Sequence, residues 1–237
     1  MTNEQDSIRD NPKKYLKTKP EFSDFTDAEL QQLINQMHVK QFPKGQVLFD
    51  QSDDRENLYF VIKGLVRAER TDANDKFTFY TYVKADLAFP YRGMFTECYY
   101  PYTAQAMTDI EIVYFPMSVF ESLLRQNNAA LVKVVKEMSS IISESEDQIQ
   151  QLVTPSARQR IVQALKTFEA DLGQLQPDGS SKIPYPLRIK ELAVMSGTSR
   201  ETAGQIVKYL VEQNLIDYEH KRFVFKPEFF RMKMTTN

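Results

Sequence analysis

Hydrophobic residues recur along this chain with two different periods, and the changes of period mark its organisation. In EFSDFTDAELQQLINQMH (21–38), Leu30, Leu33, Ile34 and Met37 share one side of a 3.6-residue repeat, which predicts a short amphipathic helix. From Val39 to Pro116 the pattern changes. GQVLF (45–49), NLYFVIKGLVRAER (57–70), KFTFYTYV (76–83) and EIVYF (111–115) are rich in aromatic and β-branched residues, and FPKG, QSDDRE and TDAND supply turns between them. Short strands at near-regular spacing predict a compact antiparallel barrel or roll.

Helical periodicity then returns over a long stretch. From Asn128 to Leu152, the positions Leu131, Val134, Met138, Ile141, Ser145, Gln148 and Leu152 follow a 3-4 spacing. Most are apolar, which predicts a coiled-coil-like seam that weakens at Ser145 and Gln148. The helix's own barrel is the competing occupant of this face. Val135 and Ile142 widen the apolar surface, which favours a homodimer helix with area left for the barrel.

VTPSAR (153–158) carries the hydroxyls and proline of a helix start, and Ile161, Leu165 and Phe168 form the inward side of the helix it opens. GQLQPDGSSKIPYP (173–186) reads as a loop. Short helices are expected around Ile189–Met195 and Ser199–Gln213. LIDYEHKRFVFK (215–226) alternates about a polar turn, as a β-hairpin does. Helix, helix–turn–helix and hairpin together predict a winged DNA-binding module. The fold class is α+β, with a roll at 1–126, a dimerisation helix at 127–153 and the winged module at 154–237.

The second helix of that module holds the candidate chemistry. Ala203, Ile206, Val207, Leu210 and Val211 make one core-facing stripe. Glu201, Gln205 and Lys208 lie opposite, with Arg200 and Gly204 at the margin. Gly204 costs helix stability, about 1 kcal/mol against alanine, and lets a bulky object approach the backbone. Gly197 supplies the preceding tight turn, and Ile189, Leu192 and Ala193 of the first helix pack the same core.

A capping box at Thr198-x-x-Glu201 would account for Glu201 alone. It does not account for Arg200, Gln205 and Lys208 sharing a surface. A catalytic pair would lack a nucleophile, metal or pocket. Groove reading accounts for the set: Arg donates two bonds to guanine, Glu accepts from cytosine N4, and Gln pairs with adenine. Ser199 and Thr202 offer hydroxyls to phosphate oxygens, and Lys208 offers a charge.

The formal charge is −2, but it is unevenly spread. Residues 155–237 hold 13 Lys/Arg against 9 Asp/Glu, whereas residues 1–154 hold 17 against 23. A basic C-terminal third on an acidic body permits a local DNA surface. The single cysteine, Cys98, excludes an internal disulfide, a thiolate zinc cage and a cysteine-ligated iron–sulfur cluster in one chain; it reads as a small packing residue, with a redox-sensing thiol as the alternative. With two separated histidines, His38 and His220, no metal site or cofactor is expected. No apolar run spans a bilayer and the N-terminus lacks a signal-peptide core, so no membrane partner and a cytoplasmic location are expected.

IKELAVMSGTSRETAGQIVKYLVEQNLI (189–216) resembles the helix–turn–helix of the Crp/Fnr family of bacterial transcription regulators almost throughout. GQVLFDQSDDRENLYFVIKGLVR (45–67) is similar to the start of that family's cyclic-nucleotide-binding-type roll, with Gly45 and Gly64 at its turns. FPYRGMF and AMTDIEIVYFP are similar to Fnr-like regulators of lactic-acid bacteria and related Gram-positives, including arginine-catabolism regulators. The resemblance implies a homodimer binding double-stranded DNA at a near-palindromic operator, with RNA polymerase contacting the 173–182 loop. It also implies where the chain departs. Members that bind cyclic AMP hold the ribose with Gly-Glu and the phosphate with Arg-Ser; here Tyr91 and Pro101-Tyr102 stand at those places. The missing arginine and the nearby SESED (143–147) argue against an anionic nucleotide. Gln205 replaces an arginine common in the family, so the base beneath it should shift away from guanine.

The aromatic residues Phe89, Tyr91, Phe95, Tyr99, Tyr100 and Tyr102 with Arg92 either fill the roll or line a chamber for an unidentified small-molecule effector, Arg92 anchoring a carboxylate. A sequence-specific regulator that is not an enzyme is therefore expected. The rival is a small-molecule-binding protein whose C-terminal domain contacts protein partners rather than DNA.

Overall fold

The computed structural model describes residues 7–72 and 78–232; part of the TDAND turn and the start of the predicted 76–83 strand lie outside the described residues. The described residues form two compact units, 7–72 with 81–143, and 144–232 with 78–80.

The first unit opens with α1 (Pro12–Lys17), a single 3-10 turn (Pro20–Phe22) and α2 (Asp27–Ile34). The helix expected over 21–38 is thus shorter at both ends. Its start is a capping box: Glu29 donates its N–H to Thr26 Oγ1 at 3.3 Å, and Glu29 Oε2 accepts the Thr26 N–H at 2.7 Å. Its end is set by sheet pairing, because residues from His38 on already belong to a strand. Met37 lies beyond the helix, though still against the same core.

Among the described residues eight strands follow: β1 (His38–Phe42), β2 (Val47–Phe49), β3 (Asn57–Lys63), β4 (Leu65–Thr71), β5 (Thr78–Lys84), β6 (Ala88–Phe89), β7 (Thr103–Ala106) and β8 (Ile110–Pro116). They form two sheets, ordered β1-β8-β3-β6 and β2-β7-β4-β5. This is the expected roll. Gly64 joins β3 to β4 at φ +92°, and a Cβ there would lie 2.7 Å from the Asp109 carbonyl oxygen, so no other residue fits. Phe22 packs on Phe60 and Phe115 at 5.3 and 5.6 Å, which fastens the N-terminal segment to the roll.

Two helices close this unit, α3 (Met117–Gln126) and α4 (Asn128–Leu152). Asn127 joins them: its Oδ1 accepts the Ala130 N–H at 3.0 Å while its amide donates to Asp24 O and Glu29 Oε2. The structure corrects the proposed dimer seam on α4. Val134 is 5% exposed and sits with Ala130 in the cluster that the N-terminal helices and α3 form on the β1-β8-β3-β6 sheet, and Leu131 and Met138 pack against that cluster. The exposed apolar stripe is one register away, at Val132, Val135, Ile142 and Ile149, continuing to Val153 just past the helix. Ile141 and Leu152, expected in the seam, are also exposed, as is Ser145.

The second unit contains the end of α4, α5 (Ala157–Leu172), β9 (Gln174–Leu175), β10 (Ser181–Lys182), α6 (Ile189–Met195), α7 (Arg200–Glu212), β11 (Ile216–Glu219), β12 (Arg222–Phe225) and α8 (Pro227–Arg231). Ser156 caps α5 by accepting the Gln159 N–H, and Ile161, Leu165 and Phe168 are buried as the periodicity predicted. The 173–186 segment is more ordered than a loop: β9 and β10 pair and extend the wing into a sheet ordered β11-β12-β10-β9.

Candidate nucleic-acid interface

Helix α7 is held by its apolar side. Ala203, Val207 and Leu210 are buried, and Ile206 is half-buried. Val211 is exposed, which corrects its place in the expected stripe: the stripe is narrower because only one flank of α7 meets α5 and α6. Leu192 and Ala193 of α6 are buried in the same unit. Gly197, at φ +56°, makes the turn between the two helices.

The helix start differs from the capping box considered above. Ser199, not Thr198, is the N-cap: its Oγ accepts the Thr202 N–H at 3.0 Å and shares a 2.9 Å hydrogen bond with Thr202 Oγ1. Thr198 Oγ1 instead bonds Ser196 Oγ at 2.9 Å. Capping therefore takes up part of Ser199 and Thr202 and does not use Glu201. Arg200, Glu201, Gln205 and Lys208 all stand exposed on the outer side of α7, the last 3.9 Å from Glu212. Gly204 leaves room beside them, since a Cβ there would meet only Ile189 Cγ2, at 4.0 Å.

Sequence reasoning passed over two further features of this unit. The β11–β12 turn exposes His220, Lys221 and Arg222, with His220 and Lys221 both at positive φ, as a two-residue hairpin turn requires. Alternation located the hairpin, but the charge at its tip was not drawn on. Arg158 lies over the Tyr209 ring of α7 at 4.7 Å, a contact no spacing rule brings together.

In the roll, the candidate effector residues separate. Phe89 belongs to an interior stack with Phe49, Tyr59 and Tyr100, in which the Phe49 and Tyr100 rings lie 3.7 Å apart. The Tyr100 hydroxyl accepts the Asn57 N–H at 3.0 Å and lies 3.1 Å from the Asn57 carbonyl. Tyr102 packs against that stack, and burial pushes its hydroxyl pKa up. Tyr91 lies in the other core cluster, where burial, then Glu21 and Glu137, push its pKa up. Phe95 is exposed beneath the Arg125 guanidinium, 4.9 Å away. Of the expected chamber, Arg92, Tyr99 and Tyr100 line a cleft of about 300 Å³, and Phe89, Tyr91, Phe95 and Tyr102 are not part of its lining. Its other walls are Gln51, Ser52, Arg70, Glu97, Cys98 and Pro101. Cys98 is exposed there, not packed as expected. Glu97 lies 3.8 Å from Arg92, so the cleft's charge is partly balanced. Among the described residues no cluster of three or more His, Cys, Asp or Glu is placed to hold a metal ion, and no helix is long and apolar enough to cross a membrane.

A two-sheet roll, a long helix and a winged helix–turn–helix define an α+β protein of the transcription-regulator type. Residues 39–127 match the cyclic nucleotide-binding domain. The chain is 27% identical over 200 residues to the cAMP-activated global transcriptional regulator CRP of Haemophilus influenzae, covering 84% of this chain and 88% of that protein. It is 25% identical over 220 residues to the HTH-type transcriptional regulator ArcR of Staphylococcus aureus, covering 91% of each. The solved structure of FixK2 from Bradyrhizobium japonicum has the same fold, with a TM-score of 0.70 at 14% identity over 85% of this chain and 99% of that one. The chain is homologous to the Crp/Fnr family of transcriptional regulators.

Proposed function

We propose that this chain is a sequence-specific, DNA-binding transcriptional regulator of the Crp/Fnr type, acting as a homodimer on a near-palindromic operator. The observation that carries this reading is α7, anchored by Ala203, Val207 and Leu210 and presenting Arg200, Glu201, Gln205 and Lys208 to solvent. In a major groove, Arg200 reads guanine, Glu201 accepts from cytosine and Gln205 pairs with adenine. Lys208, Ser199 and Thr202 face phosphates, the hydroxyls doing so while also capping the helix. The homodimer forms along the exposed α4 stripe of Val132, Val135, Ile142 and Ile149. Two copies then set their α7 helices about one DNA turn apart, roughly 34 Å.

Cyclic AMP does not control this regulator. Tyr91 and Pro101-Tyr102 offer no carboxylate for a ribose and no guanidinium for a phosphate, and aromatic rings fill the roll interior. A small acidic effector would instead enter the cleft at Arg70 and Arg92. The β9–β10 hairpin, where Leu175 is 81% exposed, meets RNA polymerase. The protein works in the cytoplasm and catalyses no reaction.

The test is selection of bound duplexes from a random pool, followed by mobility shifts of the selected site at several salt concentrations. Affinity falls with salt, and Arg200→Ala removes discrimination at one base pair worth about 1–3 kcal/mol. Specific binding that survived Arg200→Ala unchanged would refute the helix assignment.

A further inference from the structure

Arg160, in the first turn of α5, spends its guanidinium on four backbone carbonyls. Nη1 donates to Thr154 O at 2.7 Å and to Pro155 O at 3.1 Å, both in the short link between α4 and α5. Nε donates to Ser196 O at 3.0 Å, and Nη2 lies 3.4 Å from Gly197 O, both in the turn between α6 and α7. One planar fork thus spans two segments more than 35 positions apart in the chain, which the single point charge of a lysine cannot do. A second contact joins the same two places. A Cβ built on Gly197 would lie 3.1 Å from Leu152 Cδ2, so the last side chain of α4 rests on the turn that launches α7. All of these residues belong to the second compact unit.

We propose that Arg160 is a positioning residue that fixes the orientation of α7 relative to the end of α4, so that a dimer built along α4 meets DNA at one half-site spacing. The inference rests on the dimeric DNA-binding reading for its consequence, but not for the clamp itself. Carbonyls in both segments converge on one charged group, and charge-assisted bonds of this kind are roughly twice as strong as neutral ones. Swinging α7 away from α4 must break bonds at Ser196 and Gly197 or at Thr154 and Pro155. The fork therefore carries a change at the end of α4 directly to the start of α7, and it does so without touching DNA.

The test uses the full chain with Arg160→Gln, and Arg160→Lys as the milder variant should the first fail to fold. On operators whose half-sites are moved apart or together by one or two base pairs, the unaltered protein prefers one spacing. The variant keeps the base preference of each half-site while its preference among spacings shrinks about tenfold. A clamp that merely stabilised the domain would weaken all spacings alike, and that result overturns the proposal, as does an unchanged spacing preference. Amide hydrogen exchange on the DNA-free protein supplies the independent arm. Thr154, Gly197 and Thr198 should speed up together in the variant. Acceleration at 197–198 without 154 overturns the coupling. Should the unaltered protein bind no DNA, the functional reading falls, and the exchange data alone decide the clamp.

Discussion

Arg55 Nη2 lies 2.6 Å from Glu121 Oε1, in a pair whose side chains are 3% and 17% exposed. The same carboxylate oxygen accepts the Phe95 N–H at 2.9 Å, and Arg55 Nε donates to Glu97 O at 3.0 Å. One ion pair thus ties α3 to the segment that turns at Phe95, where φ is +64°. Truncating Glu121 to alanine strands a buried guanidinium, and should cost about 3–5 kcal/mol in urea unfolding. The double replacement Arg55→Met with Glu121→Leu should recover most of that loss.

Moving the N-cap of α7 from Thr198 to Ser199 has a measurable consequence. Ser199→Ala should cost about 1 kcal/mol of stability and Ser199→Asp little, because aspartate caps as well as serine. Under a cap at Thr198 the larger loss would appear in Thr198→Ala. Thermal melts of the three variants decide between the two positions.

Packing does not require a glycine at 204, where a Cβ would meet only Ile189 Cγ2 at 4.0 Å. Its surroundings accept a methyl group without a clash, so Gly204→Ala should raise helix stability by up to about 1 kcal/mol. If α7 enters a major groove as proposed, operator affinity should fall in the same variant, since the added methyl group narrows the approach to the helix backbone. A melt and a mobility shift on one preparation read both effects.

If two copies pair along the exposed α4 stripe, as proposed, substitutions there should separate them. Ile149 is 63% exposed, and Ile149→Lys should shift sedimentation toward monomer while leaving the melt of the dissociated chain unchanged. Val134→Lys should instead unfold the roll, because that side chain is already enclosed by its own chain.

Stability lost on going from acid to neutral pH should include a contribution from Glu21. Burial, then the nearby Glu137 and Asp86 carboxylates, raise its pKa, against the lowering effect of a backbone hydrogen bond and Lys133. A carboxyl that binds its proton better folded than unfolded adds stability below its unfolded pKa, and that addition is lost as pH rises through the folded value. Glu21→Gln stays neutral throughout. It should match the native chain in acid and exceed it at neutral pH, as urea midpoints across that range would show.

Much of this was legible in the chain because it rests on local periodicity. The stripe of Ala203, Val207 and Leu210, the break before Ala157 and the hairpin after Ile216 each follow from spacing that a short segment fixes by itself. The α4 face was misread because that helix carries two apolar rows, 131/134/138 and 135/142/149. Both obey the same repeat, and only the roll determines which row it encloses. The cap of α7 slipped by one residue because Thr198-x-x-Glu201 and Ser199-x-x-Thr202 are both competent, and backbone geometry chooses between them. The cleft was only partly legible, since Gln51 and Ser52 come from the turn after β2 and Arg70 from β4, all distant in sequence from Arg92 and Tyr99. The aromatic run at 89–102 could not announce that Phe49 and Tyr59 would fill the interior alongside it.

Because Ala130 and Val134 complete the cluster that the N-terminal helices and α3 build against the β1-β8-β3-β6 sheet, trimming the N-terminal half back to the end of α3 should not leave it intact. Cutting at residue 126 would strip away a lid of aliphatic side chains and leave a greasy trough open to water. The shortest fragment that keeps this cluster closed retains the first three turns of the following helix, through Met138, and so carries the exposed Val132 and Val135 with it.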